Sequence, residues 1–353
     1  MRHYNIPVFI SHFGCPNDCV FCNQKKINGR ETDVSLDDLK NIIETYLKTL
    51  PKKSKKEVAF FGGTFTGISL KLQEDYLEVV QEYIKRGDIQ GIRLSTRPDY
   101  INEEIVDMLK KYGVTTIELG VQSLDEEVLK KTARYYPMEK VYEACEIIKK
   151  SGIELGIQVM VGLPGSTFES DLDTAKKVVE IHPVIARIYP TLVIKETEMA
   201  QMYERGEYHA LELSEATDRC KKIYALFQLN GINVIRVGLQ PSEDLREDGN
   251  VIAGPFHSAF RELLEGEIYY NFLAGILRVE GELEIRANEK NISKIVGINK
   301  INRTRFKKIL NIKIDNSLSL EEIKVNERLY SRREVLEGEL NESNNNRYRQ
   351  IPN

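Results

Sequence analysis

The stretch GCPNDCVFCNQ, residues 14–24, holds three of the chain's five cysteines within eight residues. Cys15, Cys19 and Cys22 stand at i, i+4 and i+7, a spacing that would put them on one face of a helix, where a thiol is a small core hydrophobe. Pro16, Asn17 and Asp18 follow Gly14, however, and that run is turn chemistry. A tight loop aiming three thiolates at one point is the better reading. A chain of 353 residues with five cysteines is not a small stapled scaffold, and its first residues do not read as a secretory leader. Zinc prefers four ligands; the loop offers three, with His12 ahead of it as a conceivable fourth. Three thiolates on a short loop suit a [4Fe–4S] cluster that leaves one iron open for chemistry.

Outward from this loop, strand and helix patterns alternate. Strand-like runs fall at 6–11, 57–65, 91–99, 115–123, 153–165 and 184–193. Helical periodicity fills 35–50, 71–85, 102–113, 138–152 and 168–181. Such alternation implies parallel strands joined by crossovers. It fits an open doubly wound sheet or a barrel equally well. Gly-Gly (62–63), Ser-Thr-Arg-Pro (95–98), Gln-Ser (122–123) and Gly-Leu-Pro (162–164) all fall at carboxyl ends of strands, which is how barrels assemble active sites. Beyond strand six the pattern changes to a helix at 214–231, a strand at 232–240 and a helix at 257–277. A short strand–helix–strand unit is expected from 283 to about 326. The expected organisation is a barrel over 1–240, a helical extension over 241–282, a small basic α/β unit over 283–340 and a disordered polar tail over 341–353.

The apolar fraction of 41% and charged fraction of 29% are ordinary for a globular chain, and no apolar run is long enough to span a membrane. Net charge is −4, but residues 286–313 carry nine Lys/Arg against one Glu, a local balance of +8 that leaves −12 elsewhere. Such a segment is either a solvated face or a phosphate-binding surface. Cys145 and Cys220 lie alone in helical patterns and read as core. In FFGGTF (60–65) the glycines allow close backbone approach to a ligand, or simply form a turn. Glu118, Gln122 and Ser123 alternate on one strand and point into a barrel, either as a structural network or as ligand contacts.

The motifs FFGGTFTGI, IRLSTRPDYI, IELGVQSLD, VGLPGST and RIYPTLVIKETEM, in this order behind the C-x3-C-x2-C loop, resemble the radical S-adenosylmethionine (SAM) superfamily. Within it they resemble the radical half of the Elongator subunit 3 family, over roughly residues 5–265, and also the anaerobic coproporphyrinogen oxidases. The resemblance implies a partial (β/α)6 TIM-like barrel with a small C-terminal α/β extension. It implies a [4Fe–4S] cluster on Cys15, Cys19 and Cys22, with SAM on its open iron. Carried over by position, Phe21 lies against the adenine and Gly62, Gly63 and Thr64 meet the methionyl end. Gln122 and Arg134 approach the ribose and carboxylate, and Gln158 is a ribose contact. Ser95 stands where the family pattern usually has Glu, and Tyr135-Tyr136 where it often has Gly-His. The Elongator protein's acetyltransferase half has no counterpart in the roughly ninety residues after 265, which lack a Gly-rich pyrophosphate loop.

The function so implied is a cytoplasmic radical SAM enzyme that generates a 5′-deoxyadenosyl radical and acts on RNA, as in tRNA modification. The electron donor is external, of flavodoxin or ferredoxin type, and no membrane is involved. No catalytic side chain is singled out; Tyr189 reads as packing. The rival readings are a small-molecule enzyme akin to the coproporphyrinogen oxidases and a non-catalytic cluster-binding protein. Asn23 and Gln24, where the oxidases usually show a further Cys, weigh against the first rival.

Overall fold

Polar caps and glycine stops set the helix bounds in this computed structural model, which describes residues 2–10, 14–15, 19–28, 34–239, 249–280, 283–306 and 310–341. His12, Pro16–Asp18, Lys307, Lys308 and the tail from 342 lie outside the described residues. In chain order the first elements are β1 (His3–Phe9), α1 (Gln24–Asn28), α2 (Leu36–Thr49), β2 (Lys55–Phe61), α3 (Leu70–Lys85), β3 (Gly91–Thr96), α4 (Glu103–Lys111), β4 (Val114–Gln122), α5 (Glu126–Lys131) and α6 (Glu139–Ser151). Then come β5 (Glu154–Val161), α7 (Phe168–Ile181), β6 (Ile185–Pro190), β7 (Val193–Ile194), α8 (Glu198–Glu204), α9 (Leu213–Leu229) and β8 (Asn233–Val237). Ser35 and Asp38 form a capping box on α2, Asn102 caps α4, and Gly152 ends α6 at φ +83°.

Seven strands form one parallel sheet in the order β1-β2-β3-β4-β5-β6-β8, the parallel sheet expected from the alternation and the partial barrel that the resemblance implies. The run at 232–240 supplies its seventh strand. The sixth strand stops at Pro190, since the Val193–Ile194 segment turns away to pair antiparallel with β9 (Val251–Ala253).

The sheet has two different faces. Ile92, Leu94, Ile117, Leu119, Ile157, Val159, Ala186 and Ile188 join the hydrophobic core. Arg93, Ser95, Glu118, Gln158 and Arg187 alternate with them and therefore face the other way, into the barrel. Cys145 and Cys220 are free thiols buried in that core.

The remaining elements are α10 (Phe260–Glu280), β10 (Leu283–Ala287), α11 (Glu289–Val296), α12 (Ile301–Arg305), β11 (Leu310–Ile314), β12 (Glu322–Val325), β13 (Arg328–Ser331) and α13 (Arg332–Leu340). Their four-stranded sheet runs β11-β10-β12-β13, with only the β10–β11 pair parallel. The strand–helix–strand expectation missed a third strand within 283–326 and, beyond it, β13 and α13; the hairpin at 326–327 that joins β12 to β13 carries no Gly or Pro. This unit docks through buried polar groups: Glu265 bonds Tyr224 at 2.8 Å and pairs with Lys294 at 3.2 Å and Arg332 at 3.6 Å. Among the described residues, no helix is long and apolar enough to cross a membrane.

Candidate functional site

The cysteine loop is held down by a backbone contact that requires glycine on both sides. A Cβ on Gly14, at φ +74°, would lie 2.3 Å from the carbonyl oxygen of Thr64, and one on Gly67 would lie 2.2 Å from that of Gly14. The loop thus lies directly on the Gly-Gly-Thr turn after β2. Its far end is stapled too: Val20 N–H donates to Thr132 O at 3.4 Å, and Met199 N–H donates to Val20 O at 2.8 Å. Phe21 is half-buried against the cluster of Val193, Met199 and Tyr208.

Each thiol has its own polar neighbour. Cys15 Sγ is 3.4 Å from Thr64 Oγ1, Cys19 Sγ accepts from Arg134 Nη1 at 3.3 Å, and Cys22 Sγ accepts from Gln24 Nε2 at 3.3 Å. Burial raises the Cys15 thiol, with Thr64 opposing, and pushes Cys22 up to about 12, with Cys19 adding to the rise. Ligation therefore has to displace protons from both. Among the described residues, no group of three His, Cys, Asp or Glu side chains is arranged to hold a single metal ion.

Two arginines flank the thiols. Arg134 also bonds Tyr136 Oη at 3.0 Å and, very closely, the carbonyl of Gly120. Arg97 grips Asp99 through two bonds of 2.9 and 2.8 Å, and the two guanidinium carbons lie 5.2 Å (Arg97) and 5.3 Å (Arg134) from the Tyr136 ring centre. Arg97 is close enough to Cys15 and Cys19 to act on both electrostatically. Its Nη1 is buried without a hydrogen-bond partner. The sequence reading passed over Arg97; its signal was the Arg-Pro directly after a strand end. Among the described residues, the sequence-predicted Gln122 also carries such an atom, its Oε1, on a residue forced to φ +69° by the bulge that ends β4.

Ser95 and Gln158 belong to a different group, deeper in the barrel. Gln158 Nε2 donates to Ser95 Oγ at 3.0 Å and to Glu118 Oε2 at 3.2 Å. Glu118 is 1% exposed, and accepts from Arg93 at 3.0 Å and from both Nε and Nη2 of Arg187, the latter at 2.9 Å. Arg93 reaches on to Glu57, which also pairs with His3 and Lys55 at 2.9 Å each. Burial alone would raise the Glu118 carboxyl, yet Arg187 and Arg93 outweigh it and hold it below its usual 4.5. A Cβ on Gly156 would lie 2.9 Å from Glu118 Cγ, so that glycine makes room for the carboxylate. Arg93 and Arg187 were not singled out from the sequence, because a lone Arg in a strand most often reads as surface.

In the C-terminal unit, four of the nine cations of the basic segment pair with three acids. Arg286 and Lys313 pair with Glu284, Lys294 with Glu265, and Arg305 with Glu267 at 2.5 Å, while the guanidinium carbon of Arg305 lies 4.6 Å from the Tyr270 ring centre. Lys290, Lys300 and Arg303 are its exposed cations among the described residues that form no ion pair.

A half-barrel whose strand ends carry a three-cysteine loop, a Gly-Gly-Thr turn and buried unpaired polar atoms defines a radical SAM protein. Comparison with known proteins agrees: the radical SAM superfamily matches residues 9–178 and the radical SAM C-terminal domain matches 183–270. The chain belongs to the radical SAM superfamily and is an enzyme of that class. Among its relatives are the tRNA uridine(34) acetyltransferase of Methanocaldococcus infernus, 27% identical over 60% of this chain and 47% of that protein, and Elongator complex protein 3 of Saccharomyces cerevisiae, 30% identical over 49% and 34%. The chain thus spans about half or less of the length of these relatives. The solved archaeal Elp3 of M. infernus, lacking its N-terminus, shares the fold with a TM-score of 0.59 at 23% identity, over 79% of this chain and 63% of that one.

Proposed function

We propose that the chain binds a [4Fe–4S] cluster through Cys15, Cys19 and Cys22, binds SAM beside it, and uses the two for radical chemistry on tRNA. The observation that carries this reading is the set of groups around the loop. Each thiol has a separate polar neighbour in Thr64, Arg134 or Gln24, and Arg97 keeps an unpaired buried Nη1 among them. Hydrogen bonds to sulfur and adjacent cations suit thiolate ligands. An unpaired donor on Arg97 and an unpaired acceptor on Gln122 suit a ligand that bears both a carboxylate and hydroxyls, as SAM does. When bound, the cluster supplies the electron that cleaves the SAM sulfonium and leaves a carbon radical able to take a substrate hydrogen.

The chain's own residues bind and orient. Gly62, Gly63 and Thr64 receive the methionyl amino group and Arg97 takes the carboxylate. Arg134, with most of its N–H groups committed to Cys19, Gly120 and Tyr136, fixes the cysteine loop and contributes to the carboxylate through what remains of Nη1. Gln122 accepts from the ribose and Phe21 lies against the adenine. Gln158 offers only its carbonyl, since its amide donates to Ser95 and Glu118, and Ser95 serves by holding it there. The five unpaired thiols fit a reducing compartment, the cytoplasm.

tRNA as substrate rests on relatives that are tRNA uridine(34) acetyltransferases and on the exposed Lys290, Lys300 and Arg303. The neutralisation of four other basic residues favours the second reading, a small-molecule radical enzyme. Anaerobic reconstitution tests the chemistry: about four irons per chain, lost in Cys15→Ala, Cys19→Ala or Cys22→Ala and kept in Cys145→Ala and Cys220→Ala. Absence of 5′-deoxyadenosine with dithionite would leave only a cluster-binding role. Mass spectrometry of tRNA from a deletion strain, against its metabolites, separates the two substrate classes.

A further inference from the structure

The inside of the barrel is closed below and open above. Glu57, Ala59, Arg93 and Glu118 point inward from β2, β3 and β4, and each is 5% exposed or less. Toward the carboxyl ends of the strands, Phe61, Met160, Tyr189 and Arg236 point the same way and are only half-buried. The interior is therefore a cup with a sealed floor, open at the end that carries the cysteine loop.

The wall of the cup is not uniform. The groups assigned above to SAM lie on or just after β2, β3, β4 and β5. The arc they leave, β6 and β8, carries Arg187 and Arg236 at directly paired positions. Arg187 reaches across the barrel: its Nε and Nη2 bond Glu118, and its guanidinium carbon lies 5.1 Å from the Phe61 ring centre. Glu118 thus fixes this guanidinium, while its own oxygens are already taken by Arg93, Arg187 and Gln158. Among the described residues, the one bond from Arg187 Nη1 goes to Tyr189 Oη at 3.5 Å, the outer limit for a hydrogen bond. That nitrogen keeps donor capacity toward the cup. Burial makes the guanidinium of Arg236 easier to deprotonate than that of an ordinary arginine, and Arg187 adds to this, against Tyr189 and Glu118. Arg93, Arg187 and Arg236 stand against two buried acids, Glu57 and Glu118, so an anion between the upper two arginines would offset repulsion already built in.

We propose that the cup binds a small molecule bearing a carboxylate or a phosphate monoester, held between Arg187 Nη1 and Arg236, as the substrate presented to the radical. Guanidinium forks match either anion in geometry and charge. Phe61, Met160 and Tyr189 give the rest of the molecule an apolar and aromatic wall, the usual lining of a small-ligand site. The sealed floor suits a terminal anionic group entering end-on, whereas a phosphodiester lies within its chain. The inference rests on the radical SAM reading above and favours its small-molecule form.

The test is calorimetry on the full chain, before and after anaerobic reconstitution, with SAM in excess so that its own carboxylate site is filled. The probes are inorganic phosphate and succinate. The parent should bind at least one, and the tighter of the two identifies the anion. Arg236→Gln should weaken that binding by roughly ten-fold or more, and Arg236→Lys should recover part of it. Met160→Glu, which sets a carboxylate into the same wall, should abolish binding and serves if the β8 variants fold poorly. Lys52→Gln, at an exposed position before β2, should bind as the parent does. A parent that binds neither probe overturns the proposal, as does unchanged binding in Arg236→Gln or in Met160→Glu. Equal loss in Lys52→Gln also overturns it, because net charge alone would then explain the effect. If tRNA displaces the probe and is itself bound more weakly by Arg236→Gln, the arginines read RNA instead. Absence of 5′-deoxyadenosine with dithionite, in a parent that binds the probe, would sink the radical reading and leave the anion site standing.

Discussion

Arg134 Nη1 donates to Cys19 Sγ at 3.3 Å, joining residues 115 positions apart in the chain. The bond ties the cysteine loop to the end of β4, because the same guanidinium also reaches the Gly120 carbonyl. A cationic donor on a ligand sulfur stabilises added negative charge, so it raises a cluster's reduction potential. Arg134→Met should therefore lower the midpoint potential of the reconstituted protein in an anaerobic titration followed by electron paramagnetic resonance. An unchanged potential with full iron content would show that the contact does not reach the cluster.

The Gly14–Gly67 contact makes a second expectation. A methyl group at Gly14 meets backbone rather than a movable side chain, and the residue sits at φ +74°. Gly14→Ala should then lift the loop from the Gly-Gly-Thr turn and cut iron loading severalfold, while circular dichroism stays that of the parent. Full loading would mean that the loop folds around iron without this support.

Both points bear on what the sequence made legible. The cysteine spacing, the Gly-Gly-Thr turn and the alternation of strand and helix are local, and each was readable from a few adjacent residues. Arg187 was not, because its role depends on partners brought in by topology, and Arg97 showed only as part of a strand-end Ser-Thr-Arg-Pro whose individual roles topology decides. Arg187 meets Glu118 across 69 residues, and nothing in RIYP distinguishes it from a surface arginine. The basic segment shows the converse failure: its charge was visible, but the acids that pair with four of its cations, Glu265, Glu267 and Glu284, lie before residue 286.

Glu118 anchors the barrel interior. Glu118→Gln would leave Arg93 and Arg187 buried against a neutral group, and breaking such a network by removing one partner costs about 3–5 kcal/mol. Urea unfolding near neutral pH should show a loss of that order. The carboxyl is held below its usual 4.5 in the folded chain, so the unfolded chain takes up the proton first as pH falls. The stability that the carboxylate contributes is thus complete above that value and declines below it. The gap between parent and variant should narrow under acid, and a gap of constant size from pH 7 to pH 4 would contradict the assignment.

The exposed cations of the C-terminal unit decide between the two substrate readings. Arg305 is committed to Glu267 and Tyr270, and Lys307 and Lys308 lie outside the described residues, which leaves Lys290, Lys300 and Arg303 for phosphate. Phosphate contacts release counterions, at a cost to the salt slope of about 0.7–0.9 per contact. Converting all three to Glu should weaken tRNA binding and flatten the plot of log affinity against log salt by roughly two to three units. Lys48, Lys52 and Lys53 reversed to Glu together, three exposed positions before β2 and far along the chain from this unit, match the change in net charge and should leave the slope nearly as it was. Dithionite-driven cleavage of SAM without tRNA should survive the triple change, since none of the three residues belongs to the cysteine site. If the parent does not bind tRNA at low salt, or if the triple variant keeps the parent's slope, these residues do not read phosphate and the small-molecule reading moves ahead.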